Sequence, residues 1–394
     1  MKSKTFIILL IVCCITAAAA YMVISKNGES SSKTRQGELL IKDFPVGSIY
    51  GITITSTDGK VELAQKDNGW VVANRFDYPS NFTKINELVE KIAGLKIGHI
   101  FKSTDDAKKR LSLFPPDEKD RENEDKGVRL VFSDKEGKPI YDLMLGKERQ
   151  TENNISGNYV MLSGDENVYL VNKYFKYLEN KPSDWLLDNI VNIDAEKIKK
   201  IVVSKPGAQE IIYTLSRPEK DKDFVFEGLP EGKEADTANI GKVMRALSSF
   251  NLSDVASKET PLDKTGFDKN PVFEFYLYDG SVYKVIKGNA VEGEEGSIYL
   301  KLEARFEIPE NAEIEVTDIN DEKKTDKSAS ENNDEAKVKE QDNPDSPEKV
   351  KTRIENENNK FSGWIFIISG NDADQFITDA DSFIKKEEEN KEKQ

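Results

Sequence analysis

Thr83-Lys-Ile-Asn-Glu-Leu-Val-Glu-Lys-Ile-Ala-Gly-Leu95 carries Ile85, Leu88, Ile92 and Leu95 at spacings of 3, 4 and 3. Ala238-Asn-Ile-Gly-Lys-Val-Met-Arg-Ala-Leu-Ser-Ser-Phe250 carries Ile240, Val243, Leu247 and Phe250 at the same spacings. Such spacings put four side chains on one stripe of an α-helix, and that stripe must be buried. The register runs on, pairing Ile97 with Leu252 and Ile100 with Val255. One helix of this kind is common, but two in the same register ask for a shared cause.

The surroundings repeat as well. Ile49-Tyr-Gly-Ile-Thr-Ile-Thr55, a turn at Asp58-Gly59, Val61–Leu63 and Gly69-Trp-Val-Val72 precede the first stripe. Ile198-Lys-Lys-Ile-Val-Val203, a turn at Pro206-Gly207, Ile211–Leu215 and Phe224–Phe226 precede the second. Runs rich in β-branched and aromatic residues, broken by Gly, Pro and Asp, read as an antiparallel meander. A hairpin then follows each helix: Val128–Phe132 with Ile140–Leu145, and Val272–Tyr278 with Val282–Ile286. The expected fold class is α+β, with two tandem related modules of mainly antiparallel sheet and amphipathic helices on one face.

Phe6 to Ile24 is a run without a charged residue, preceded by Lys2 and Lys4. It is long enough to span a bilayer as a helix, and the preceding lysines place the N-terminus in the cytoplasm and the bulk outside. A cleavable signal peptide ending near Ala17–Ala20 is the competing reading, and Tyr21–Ile24 tips the choice to an uncleaved anchor. The lipid bilayer, met through residues 6–24, is thus one expected partner. The only two cysteines, Cys13 and Cys14, lie in this run, so the remainder has no disulfide or thiol chemistry. A net charge of −15 argues against a nucleic-acid partner.

Asp321–Lys360 has no aromatic residue and no Leu; its branched apolar residues are Val338, Val350 and Ile354. It is expected to stay disordered, as an insertion at the tip of a hairpin between Ser297–Leu300 and Gly363–Ile368. The heptad-like Asp372–Ile384 is expected to place Phe376, Ile377, Phe383 and Ile384 on one helical face, as counterparts of Tyr174, Phe175, Tyr177 and Leu178. The chain is therefore divided into a transmembrane anchor (1–25), a linker (26–45), a first module (46–190) and a second module (191–384). The second contains the insertion 321–360, and a charged tail (385–394) ends the sequence.

Residues able to carry chemistry are few. His99 is the only histidine, so zinc lacks ligands outside the apolar run, and no nucleophile elbow accompanies it. A surface histidine at a strand edge is the simpler reading. Asp372, Asp374, Asp379 and Asp381 lack the glycine and closing glutamate of a calcium loop, because Phe376 and Ile377 occupy the positions in between; helix-start acids explain them better. The Gly-Lys pairs at 59–60, 137–138, 146–147 and 232–233 lack the other elements of a phosphate loop. Trp70, Trp185 and Trp364 sit in or beside apolar strands and read as packing residues. No catalytic, cofactor-binding or metal residue is nominated, and no cofactor is called for.

Gly69-Trp-Val-Val72, the helix Thr83–Leu95, Leu111-Ser-Leu-Phe-Pro-Pro116, Tyr159-Val-Met-Leu162, Val168-Tyr-Leu-Val171 and Ser183-Asp-Trp-Leu-Leu-Asp188 follow one another in order. In this arrangement the chain resembles the bacterial family carrying domain of unknown function 4340. The resemblance covers the first half well and the second more weakly, and the acidic insertion departs from it. It implies an envelope protein found beside ABC-type transport systems of the gliding-motility kind, and it implies no reaction. The expected function is a non-catalytic extracytoplasmic accessory or scaffold in the cell membrane, partnered by membrane subunits of an ABC transport system. A binding module for cell-wall polymer and an unrecognised hydrolase are the alternatives.

Overall fold

A computed structural model describes residues 35–151, 154–176, 178–207, 210–308 and 346–386. The apolar run Phe6–Ile24 and most of the charged insertion lie outside these residues. Among the described residues no helix is long and apolar enough to cross a membrane. The chain separates into two compact units between Leu187 and Asp188. Both are sheet-rich α+β, with antiparallel ladders throughout their sheets.

In the first unit the strands are β1 (Gly51–Thr55), β2 (Lys60–Lys66), β3 (Gly69–Val72) and β4 (Tyr78–Pro79). After helix α1 (Phe82–Ala93) come β5 (Ile97–Lys102), helix α2 (Asp105–Arg110), β6 (Val128–Ser133), β7 (Pro139–Thr151), β8 (Asn154–Leu162) and β9 (Asn167–Val171). They form one nine-stranded sheet in the order β4-β3-β2-β1-β6-β7-β8-β9-β5. The pleat sends Ile52, Ile54, Val61, Leu63, Leu130, Phe132, Leu143 and Val160 to the buried face. Ile85, Leu88, Val89 and Ile92 of α1 are buried with them.

The second unit has β10 (Asn189–Val191), β11 (Ile198–Ser204), β12 (Ile211–Ser216) and β13 (Val225–Phe226), then helix α3 (Thr237–Met244). After α3 come β14 (Phe250–Asn251), β15 (Asp254–Ala256), helix α4 (Leu262–Thr265), β16 (Val272–Leu277), β17 (Ser281–Ala290) and β18 (Ile298–Phe306). Helix α5 (Pro347–Phe361), β19 (Ile365–Ile368) and helix α6 (Gly370–Ala373) complete it. Its eight-stranded sheet runs β13-β12-β11-β16-β17-β18-β19-β15, and β10 pairs separately with β14. Strand for strand this is the order of the first sheet without β4.

The helices begin alike in the two units. The Asn81 side chain accepts from the Lys84 N–H, and that of Asp236 from the N–H groups of Ala238 and Asn239. Each capping residue then donates its own N–H at 2.8 Å, Asn81 to the Trp185 carbonyl and Asp236 to the Phe383 carbonyl. Both stripes outrun their helices, contrary to expectation. Leu95 lies past the cap at Gly94, and Leu247 and Phe250 lie past Met244, yet all three are buried. Burial fixes the spacing there, while the backbone turns away to enter the next strand.

Two further expectations are corrected. Asp372–Ile384 is not one helix: α6 ends at Ala373, and a separate 3-10 turn spans Ala380–Phe383. By its hydrogen bond to the helix cap, Phe383 takes the place of Trp185 rather than of Tyr177, and Tyr177 lies outside the described residues. The charged stretch 321–360 is also not structureless along its length, because Pro347–Phe361 is helical. Val350, Ile354 and Phe361 bury one stripe of α5, which packs on β18 and β17. The Arg353 guanidinium donates to Asp279 at 2.7 Å, and the Ala304 N–H donates to the Asn358 amide oxygen at 2.9 Å. The buried Tyr283 hydroxyl donates to Glu357. These polar anchors hold a helix whose composition alone would leave it in water.

Candidate functional site

The outward face of the first sheet bears a groove of about 630 Å³. Its floor follows from strand alternation. Arg129 on β6, Asp142 and Met144 on β7 and Met161 on β8 point away from the buried face that Leu130, Leu143 and Val160 occupy. Arg129 donates from Nε to Asp142 Oδ1 at 3.0 Å and from Nη2 to Oδ2 at 2.7 Å. Hydrogen bonding to Asp142 raises the Arg129 guanidinium above its ordinary value, so it is charged at every accessible pH. The Arg129 side chain keeps 42% of its surface exposed, and such a pair contributes about 1 kcal/mol or less to stability.

One wall is the segment between α2 and β6. Leu113 and Phe114 turn inward and are buried. Phe114 and Gly127 close the loop, with the Gly127 N–H donating to the Phe114 carbonyl at 2.9 Å and the Phe114 N–H to the Asp125 carbonyl at 3.3 Å. Arg121 lies over the Phe114 ring, 3.9 Å from its centroid, and donates to Glu118 at 3.1 Å. This wall sits hard against the strands. A Cβ on Gly127 would stand 2.5 Å from the Leu145 carbonyl oxygen and 2.6 Å from that of Ser112, so only glycine fits. Leu162–Gly164, at the tip of the β8–β9 hairpin, forms the opposite wall.

Beneath the groove Leu113, Met144 and Val168 make an apolar cluster, with Phe101, Leu111, Tyr159 and Met161 packed against it. The result is a flexible thioether floor between charged rims. Methionine adapts its shape to what lies on it, and the guanidinium and carboxylate groups supply direction. Two of the rim pairs, Arg129 with Asp142 and Arg121 with Glu118, are held by each other. Among the described residues no group of three or more His, Cys, Asp or Glu side chains could hold a metal ion.

The residues weighed from sequence lie elsewhere. His99 is exposed on β5, at the edge of the first sheet, and does not line the groove. Asp379 caps the turn Ala380–Phe383, accepting from the Asp381 N–H at 3.2 Å, and Asp372 accepts from the Ser369 hydroxyl at 2.9 Å. Trp185 is buried at 3% exposure and donates its indole N–H to the Glu179 carbonyl. Lys258 lies 4.5 Å from the Trp364 ring centroid. Sequence reasoning passed over Arg129, Asp142, Met144 and Met161. One signal was present: two of the chain's five methionines occupy outward positions on neighbouring strands.

The same place in the second unit is built differently. Gly288 on β17 admits a carbonyl as Gly146 on β7 does, since a Cβ would stand 2.7 Å from the Thr265 oxygen at the first and closer still to the Leu111 oxygen at the second. The chain then passes from Gly266 to β16 within a few residues, and Lys301 covers the Phe267 ring at 5.1 Å. Neither a curated protein nor a solved structure matches the chain. Residues 70–270, just over half of the sequence, match the family described as Domain of unknown function (DUF4340), and the chain belongs to that family.

Proposed function

We propose that this protein is a non-catalytic scaffold, held in the cell membrane by Phe6–Ile24 with its bulk outside the cytoplasm, and that its first unit recognises a protein partner through the groove. The partner is a membrane subunit of an ABC-type transport complex, as the family resemblance implied. The two units are related modules derived from one ancestral sheet. The observation that carries the reading is the groove itself: a methionine floor between ion-paired rims, in the size range of recognition clefts.

The test is affinity purification of the full-length protein from detergent-solubilised membranes, as wild type and as the double variant Arg129→Glu/Met161→Glu. Wild type is expected to retain transport subunits, and the variant to lose them with an unchanged circular dichroism spectrum. Undiminished retention by the variant would remove the groove from the account. A wild-type preparation without any transport subunit would remove the ABC partner.

A further inference from the structure

Although the protein is acidic overall, one face of its first unit is not. Leu39 is bridged to Lys96, and the Lys96 N–H donates to the Asn172 side chain at 2.8 Å. Lys173 and Tyr174 follow directly, and Lys91 stands 5.4 Å from the Tyr174 ring centroid. Lys42, Lys96, Lys173 and Lys176 are exposed. Burial, and then the nearby Lys173 ammonium, lower the Lys91 pKa below its ordinary value. The acids nearest in the chain are Glu38, Asp43, Glu87, Glu90 and Glu179, the last of which accepts from Lys84 at 3.0 Å. Glu38 is engaged by Arg35 at 3.7 Å and Lys42 at 3.2 Å, and Glu90 accepts from Asn86 at 2.9 Å. Two large side chains stand out of the same surface, Leu39 at 38% and Tyr174 at 42% exposure.

We propose that this lysine face docks on the anionic phospholipid headgroups of the bilayer that anchors the chain; the inference rests on the anchor reading above. Two features support this occupant. The first is reach: the stretch from Ile24 to Arg35 extends at most about 40 Å, and Arg35 and Leu39 lie beside the face. The second is chemistry. Clustered ammonium groups are drawn to anionic headgroups, lysine stems and a tyrosine ring suit the headgroup layer, and an exposed leucine gains from the acyl boundary. Docking would fix how the first unit stands on the membrane and so where its groove is presented.

The test uses the full-length protein reconstituted into vesicles of phosphatidylglycerol or of phosphatidylcholine, labelled with a water-soluble amine reagent. Lys96, Lys173 and Lys176 are read by mass spectrometry against Lys135, an exposed residue of the β6–β7 turn. Their labelling is expected to fall about fivefold in phosphatidylglycerol, and the protection to vanish in phosphatidylcholine or at high salt. In a Lys96→Gln/Lys173→Gln variant the protection of Lys176 should weaken. Equal labelling in both lipids, with the protein still resistant to carbonate extraction, would overturn the lysine-face inference and leave the anchor standing. Release of the protein by carbonate would overturn the anchor, and with it this inference.

Discussion

The two units share one strand order apart from β4 and differ in length at two joints. The first carries its extra chain between α2 and β6, where residues 115–125 form a groove wall over the outward face of the sheet. The second passes that joint in a few residues and is instead extended between β18 and β19, where α5 packs on the buried face. Lengthening a loop costs chain entropy only logarithmically, so both joints could grow without disturbing the ladders. The groove wall and the α5 support therefore lie on opposite faces of similar sheets. The strands set the fold, and the joints set what each unit can touch.

The comparison breaks most easily at Leu88 and Val243. They hold the same register on α1 and α3 and are 5% and 0% exposed. Replacing either with Asp buries an unpaired carboxylate and should cost about 4 kcal/mol or more. If the units are separate cooperative modules, urea unfolding followed by hydrogen exchange should show Leu88→Asp releasing amides of the first unit alone, and Val243→Asp those of the second. Release of both units by either change would show one cooperative block, and the pairing of these positions would lose its meaning.

The parts of the fold that repeat were the parts legible in the sequence. Alternation marked the strands, and the 3-4-3 stripe marked the helices, because burial imposes both periods on the residues themselves. Helix α5 was illegible for the opposite reason. Its stripe is three residues, Val350, Ile354 and Phe361, within a field of charge, and its other anchors (Asp279, Tyr283 and Ala304) are distant in sequence. The Asp372–Ile384 repeat misled because two capped turns, each with its own buried phenylalanine, imitate one amphipathic helix. The groove left only the faint signal of its two methionines. Arg129, Asp142, Met144 and Met161 alternate with core residues, and a mixed outward face looks like any solvated surface until the loop above it is placed.

A smaller effect on the second unit depends on pH. Burial alone pushes the Asp279 carboxyl up, but the Ser281 N–H, then the Arg353 guanidinium and the Ser281 hydroxyl, outweigh it and hold the carboxyl below the usual range. A carboxyl depressed on folding adds stability above its unfolded pKa of about 4, and that stability is lost as pH falls through the lower folded value. The second unit should thus lose stability on acidification below about pH 4, through weakened docking of α5. In Asp279→Asn that part of the pH dependence should disappear from the unfolding midpoint measured between pH 2 and pH 6. An unchanged slope would show that the Asp279–Arg353 pair does not help to hold α5.

The smallest effect is expected where the two units solve one backbone problem with different residues. Past the carbonyls of Leu111 and Thr265, which lie against Gly146 and Gly288, the chain adopts positive φ: 52° at Ser112 and 67° at Gly266. Glycine bears this conformation without strain, whereas a serine is strained there by about 1 kcal/mol. Ser112 offsets the strain through its hydroxyl, which donates to the Glu124 carbonyl and ties down the far end of the groove wall. That bond is worth about 1 kcal/mol. Ser112→Gly relieves strain, loses the bond and loosens the unfolded chain, so its net effect on stability should stay within about 1 kcal/mol. Its effect on the loop should be larger, with faster amide exchange at Asp125 and Lys126, whose neighbour Glu124 has been released. Unaltered exchange would show that Arg121 on Phe114 suffices to hold the wall. Faster exchange with little change in stability would show that the first unit tolerates a strained serine where the second has glycine because the serine keeps the groove shaped.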